Sequence, residues 1–123
     1  MTLDLRNSPD LAQTIIVTCF ALGIACDITG LHTLKIKETD RLVALQVELE
    51  KLGATVQITD KSLHLKTSDK INRNIAIDTY QDHRMAMAFA PLALKVPIVI
   101  NEAEVVSKSF TSFWEDLKSV LLE

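Results

Sequence analysis

Apolar residues recur along this chain at two spacings, and the spacing switches between them several times. The leucines at 42, 45, 49 and 52 form one stripe, with Gln46, Glu48, Glu50 and Lys51 as its polar complement. That period predicts an amphipathic helix over residues 39–52, and Gly53 suits its C-terminal end. Residues 55–59 and 62–66 alternate instead, which predicts two short strands joined around Asp60 and Lys61. Further strands are predicted at 3–6, 74–78 and 97–101, and a strand with a turn at Gly30 within 25–34. Residues 9–22 are apolar on nearly every face, the mark of a deeply buried helix. Ser8, Pro9 and Asp10 give that helix a cap, a first-turn proline and a first-turn acid, and Gly23 ends it. A helix over 82–94 contains Pro91, which removes one backbone hydrogen bond and kinks or shortens it. Ser112 and Glu115 have capping-box spacing for a final helix, with Phe113, Leu117, Val120 and Leu121 on its apolar face. The order β-α-β-α-β-β-β-α-β-α has no visible linker. It predicts a single domain over 1–123 of the α/β (α+β) class, with helices packed on mixed sheets.

Composition narrows the function classes more than it changes the fold. The chain has 123 residues, 48% of them hydrophobic and 24% charged, enough for one domain with a modest core. A net charge of −3, with no basic stripe carrying interleaved aromatics, points away from nucleic acid and from a membrane surface. Cys19 and Cys26 sit in apolar surroundings and read as reduced, buried thiols. The apolar run over 11–25 is interrupted by Gln13, Thr14 and Thr18, so it reads as a core helix and not a membrane span. The N-terminal residues lack the apolar stretch of a signal peptide, and the expected location is the cytoplasm.

Chemistry is concentrated at the beginnings of predicted elements. Lys37-Glu38-Thr39-Asp40-Arg41 opens one helix and Asp82-His83-Arg84 another, each placing cations where the helix dipole disfavours them. Lys108 lies in a polar loop, and Asp10 in a first helical turn. Taken singly, each has an ordinary explanation. The first is a solvated helix end; Arg84 is an ion-pair partner of Asp78 or Asp82; His83 is a structural hydrogen-bonder; Lys108 is a surface residue; Asp10 is a dipole-stabilised acid. Taken together, Lys37, Arg41, Arg84 and Lys108 with Asp10 and Glu38 would form a cationic pocket holding two carboxylates. Such a pocket suits small anionic substrates undergoing proton transfer, because arginine forks grip carboxylates and phosphates.

The same residues carry a family resemblance. Lys37-Glu38-Thr39-Asp40-Arg41-Leu42, followed by Glu48-Leu49-Glu50-Lys51-Leu52-Gly53-Ala54, resembles a signature of the 5-enolpyruvylshikimate-3-phosphate synthases, or 3-phosphoshikimate 1-carboxyvinyltransferases. Residues 79–87, Thr-Tyr-Gln-Asp-His-Arg-Met-Ala-Met, resemble a second signature, and Pro9-Asp10 and Val106-Ser107-Lys108-Ser109-Phe110 match in the same order. The resemblance implies transfer of the enolpyruvyl group from phosphoenolpyruvate to the 5-hydroxyl of shikimate 3-phosphate, on the way to chorismate and the aromatic amino acids, with no cofactor and no metal. It implies that Asp10 is the base at the 5-hydroxyl and that Glu38 exchanges a proton with the enolpyruvyl methylene. Arg41 and Arg84 would hold the phosphoenolpyruvate carboxylate, Lys108 its phosphate, and Lys37 the shikimate phosphate substrate, with His83 assisting. Thr33 stands where some members have an asparagine that bonds the shikimate moiety.

The resemblance further implies a fragment. Family members are several times longer and close their site between two domains, the C-terminal one built of βαβαββ units. About two of those units fit in this chain, which therefore resembles the last part of the C-terminal domain, with the N-terminal domain absent. The isolated chain is then expected to be inactive and prone to self-association. Two rival readings remain: a non-catalytic anion-binding or interaction module derived from the family, and the related transferase acting on UDP-N-acetylglucosamine.

Overall fold

The computed structural model describes residues 1–36, 40–68 and 70–102. Strand β1 (Thr2–Asp4) leads through a short 3-10 turn (Pro9–Leu11) into α1 (Ala12–Leu22) and then β2 (Cys26–Thr29). β1 and β2 are parallel, with Leu3 opposite Ile28, so β1-α1-β2 is a βαβ crossover. A second 3-10 turn (His32–Ile36) precedes α2 (Arg41–Lys51), which is followed by the hairpin of β3 (Val56–Ile58) and β4 (Leu63–Leu65). The hairpin inserts so that β4 pairs antiparallel with β2, giving the sheet order β1-β2-β4-β3. These residues complete one βαβαββ unit. Strand β5 (Ile75–Ile77), α3 (His83–Phe89), a 3-10 turn (Ala90–Leu94) and β6 (Ile98–Ile100) begin a second unit, with β5 and β6 parallel.

Side-chain alternation decides which face of the larger sheet is inside. Cys26, Ile28, Val56, Leu63 and Leu65 are buried, while Asp27, Gln57 and His64 occupy the opposite face. The inner face meets Ile16 and Phe20 of α1 and the leucine stripe of α2, at 42, 45 and 49, in one contiguous core that also takes in Ile77, Met85 and Phe89. α1 packs directly against α3. Gly23, at φ 72, closes α1 in the left-handed conformation that its cap requires.

Most predicted elements are present, and the departures have physical causes. The turn expected at Gly30 is present, at φ 77, but a 3-10 turn and not further strand follows it. The helix over 82–94 is shortened at Pro91 as expected, its end becoming a 3-10 turn, since the proline ring and missing N–H cannot continue the α pattern. The predicted 9–22 helix is not buried all round, because Leu11, Thr14, Thr18 and Leu22 form an exposed strip along the 3-10 turn and α1. Glu48, expected on the polar side of α2, is fully buried. The predicted final helix lies outside the described residues. None of the described helices is long and apolar enough to cross a membrane.

Candidate active site

The described candidate side chains follow the carboxyl ends of strands. Asp10 follows β1, Arg41 follows β2, and Asp82, His83 and Arg84 follow β5. In parallel α/β architecture this end gathers the loops and helix N-termini, and it is where small ligands bind. The chain brings three of these connections together. Arg41 donates from Nη1 to Oδ1 of Asp10 at 3.4 Å, and Nη2 of Arg84 lies 3.8 Å from Oδ2 of the same carboxylate. Asp10 therefore sits between two guanidinium groups supplied by two different helices.

The two arginines are not equivalent. Arg41 is nearly inaccessible, with 4% of its side chain exposed against 0% for Asp82, and its Nε and Nη2 form a fork on that carboxylate at 2.6 and 3.1 Å. Arg84 keeps 42% of its side chain exposed, close to the 43% of Asp10. The fork of Arg84 thus faces the open side, whereas one edge of Arg41 is committed to Asp82 and its Nη1 points to Asp10. Asp82 also caps α3, accepting from the backbone N–H of Arg84 at 3.0 Å. It is Arg41, and not Arg84, that takes the Asp82 carboxylate. Asp78 goes to Lys51 and Asn101 instead.

The turn that delivers Asp82, His83 and Arg84 is strained. Tyr80 and Gln81 are consecutive non-glycine residues in the left-handed region, at φ 58 and 55. Such backbone persists only where surrounding contacts fix it. Here the Tyr80 hydroxyl donates to Oε2 of Glu48 at 2.6 Å, and the Asp78 backbone N–H donates to Oε1 of Glu48 at 2.9 Å. Lys51 also reaches Glu48, at 2.7 Å. Burial and the neighbouring Glu48 push the Tyr80 phenol well above its ordinary pKa, so the hydroxyl stays a donor. Sequence inspection missed Glu48 and Tyr80. The available signal was that Glu48 is seven residues after Arg41, and so shares a helix face with it.

The remaining candidates divide. His83 is the first residue of α3, beside Arg84. Thr33 is in the second 3-10 turn, its Oγ1 buried without a hydrogen-bond partner, as are the amide atoms of Gln13 in α1. Lys37, Glu38 and Lys108 lie outside the described residues. Among the described residues, then, two guanidiniums meet two carboxylates, and the expected cationic surplus would rest on the lysines at 37 and 108. A second constellation, on the outer sheet face, has hydrolase-like order: His64 Nδ1 is 2.8 Å from Asp27, and its Nε2 is 3.0 Å from Ser62 Oγ. Ser62 is buried and its hydroxyl is tied to Thr59 at 2.6 Å, so this chain of bonds secures the hairpin.

Comparison with known proteins identifies the architecture that carries this cluster. The family model of EPSP synthase (3-phosphoshikimate 1-carboxyvinyltransferase) matches residues 1–117. The chain belongs to the EPSP synthase family. A 3-phosphoshikimate 1-carboxyvinyltransferase of Bacteroides fragilis is 46% identical over 118 residues, covering 94% of this chain and 29% of the relative. One from Laribacter hongkongensis is 37% identical over 120 residues, covering 98% of this chain and 28% of the relative. A solved EPSP synthase from Acinetobacter baumannii superimposes with a TM-score of 0.77 at 25% identity, over 88% of this chain and 26% of that one. The chain thus spans less than a third of the length of these EPSP synthases.

Proposed function

We propose that this chain is the C-terminal portion of a 3-phosphoshikimate 1-carboxyvinyltransferase and forms one wall of its active site. The enzyme would join phosphoenolpyruvate to shikimate 3-phosphate and release phosphate. The observation that carries the reading is the meeting of Asp10, Arg41 and Arg84, from three separate strand ends, around one carboxylate. Their order along the chain is that of the family signatures.

In this reading Arg84 presents its open fork to the phosphoenolpyruvate carboxylate, and Arg41 adds Nη1 from beneath. Asp10 removes the 5-hydroxyl proton as that oxygen adds to the enolpyruvyl carbon, while Glu38 protonates the methylene. Collapse of the tetrahedral adduct returns the methyl proton to Glu38 and expels phosphate, held by Lys108, which leaves with the proton that Asp10 had taken. Lys37 and Thr33 contact shikimate 3-phosphate, and His83 supports the phosphoenolpyruvate side. No cofactor takes part, and the setting is the cytoplasm.

Residues 1–123 act as a single domain in this account. The opposite wall comes from the N-terminal part of the enzyme, so the isolated chain turns over nothing. Transition-state stabilisation needs preorganised groups on every side of the reacting atoms. The exposed Leu11, just before α1, and Leu22, at its end, support this view, since a largely apolar helix suits burial inside a larger protein. The same surface favours self-association of the isolated chain.

Replacing the matching 29% of the Bacteroides fragilis relative with this chain tests the proposal. The chimera is expected to release phosphate from phosphoenolpyruvate only when shikimate 3-phosphate is present, and Arg84→Met to lose most of that rate. A folded chimera without this activity, or one that prefers UDP-N-acetylglucosamine, would refute it.

A further inference from the structure

α2 grips the turn before α3 at two points. Arg41 and Glu48 are seven residues apart, which places them on one face of the helix, two turns or about 10.5 Å from each other. Arg41 holds Asp82 at the far end of the turn. Glu48 holds Asp78 and Tyr80 at the near end. Between these anchors lie the left-handed Tyr80 and Gln81. Asn101, the residue after β6, braces the same turn, donating from its side chain to Asp78 at 2.7 Å while its carbonyl accepts from Thr79 Oγ1 at 3.1 Å. Both carboxylate oxygens of Glu48 are engaged, and the residue is 0% exposed. A buried carboxylate must be matched by donors, and this one is matched chiefly by the turn that leads to Arg84.

We infer that Glu48, acting through Tyr80, is a positioning residue that fixes the left-handed turn and thereby aims Arg84 at Asp10 and the anionic substrate. The direction of the first turn of α3 follows from the backbone at 80 and 81, and Arg84 is the second residue of that helix. Relaxing Tyr80 and Gln81 into ordinary backbone regions rotates that first turn and moves the guanidinium from the carboxylate now 3.8 Å away. The inference rests on the proposed function for the identity of the anion, but its geometric part needs no ligand.

The test uses the full 123-residue chain. One-bond Cα–Hα couplings at Tyr80 and Gln81 report the left-handed backbone directly, and a titration with phosphoenolpyruvate reports the anion site. Tyr80→Phe deletes one hydroxyl and keeps the ring. It is expected to shift both couplings and to weaken phosphoenolpyruvate binding by about tenfold, as loss of a hydrogen bond to a charged group would. Glu48→Asp, which withdraws the carboxylate by one methylene, is expected to do the same and serves if Tyr80→Phe does not fold. Glu48→Gln keeps an acceptor for the Asp78 N–H and a polar group opposite Tyr80, and is expected to restore the couplings. A purely structural Glu48 predicts a different result: a lower unfolding midpoint with the couplings and the affinity unchanged, and that result overturns the inference. A wild-type chain with no response to phosphoenolpyruvate sinks the functional reading alone, while the couplings still decide whether Glu48 sets the turn.

Discussion

Arg41 shows how one side chain serves stability and chemistry together. It is buried with Asp82, which is itself fully inaccessible, so removal of Arg41 leaves the Asp82 carboxylate buried without its countercharge, whereas Arg41 without Asp82 would still have Asp10. Arg41→Ala is therefore expected to lower unfolding free energy by about 3–5 kcal/mol, measured by urea titration. The Arg41→Met/Asp82→Leu double variant should lose clearly less than the sum of the single variants, because the pair is then removed whole. A lysine at 41 cannot reproduce the fork and should fall between these cases. Gly30 makes a different residue-scale demand. At φ 77, a Cβ there would lie 2.5 Å from the Arg6 amide nitrogen and from Asp4 Oδ1. Gly30→Ala should lose more than about 1 kcal/mol in the same measurement.

At the scale of elements, the sheet and α2 were readable because one period dominated each. The leucines at 42, 45, 49 and 52 are all buried as their spacing implies. The 3-10 turn after Gly30 was not readable, since its apolar residues also fit a strand. Glu48 was misplaced because hydrophobic patterning ranks a carboxylate as outward-facing, and only the donors supplied from residues 78–80 make its burial tolerable. The site was legible as a set of residue types at helix starts. Its wiring was not, because which acid pairs with which arginine depends on tertiary distance. The same network gives the chain a pH signature. Asn101 first, and Lys51 second, hold the Asp78 carboxyl below its ordinary value of 3.8. A depressed folded pKa means stability present above 3.8 and lost as pH falls through the folded value. On the alkaline side, burial and then Cys19 push the Cys26 thiol from 9.0 up to about 12. A raised folded pKa means stability intact below 9.0 and lost as pH rises towards about 12. Urea titrations across pH should show both slopes, with Asp78→Asn flattening the acid one and Cys26→Ala and Tyr80→Phe each reducing the alkaline one.

At the scale of the whole molecule, the described residues form one βαβαββ unit followed by the βαβ beginning of another. The chain covers less than a third of the EPSP synthases it resembles. Its strand ends converge on Asp10 from three directions, the arrangement expected of one half of a cleft. The most direct measurement is a phosphoenolpyruvate titration of the isolated chain followed by backbone amide shifts. The largest changes should fall at Asp10, Arg41, His83 and Arg84, with Arg84→Met abolishing them. No shifts at those positions, or shifts centred on Asp27, Gln57 and His64 across the sheet, would contradict the account.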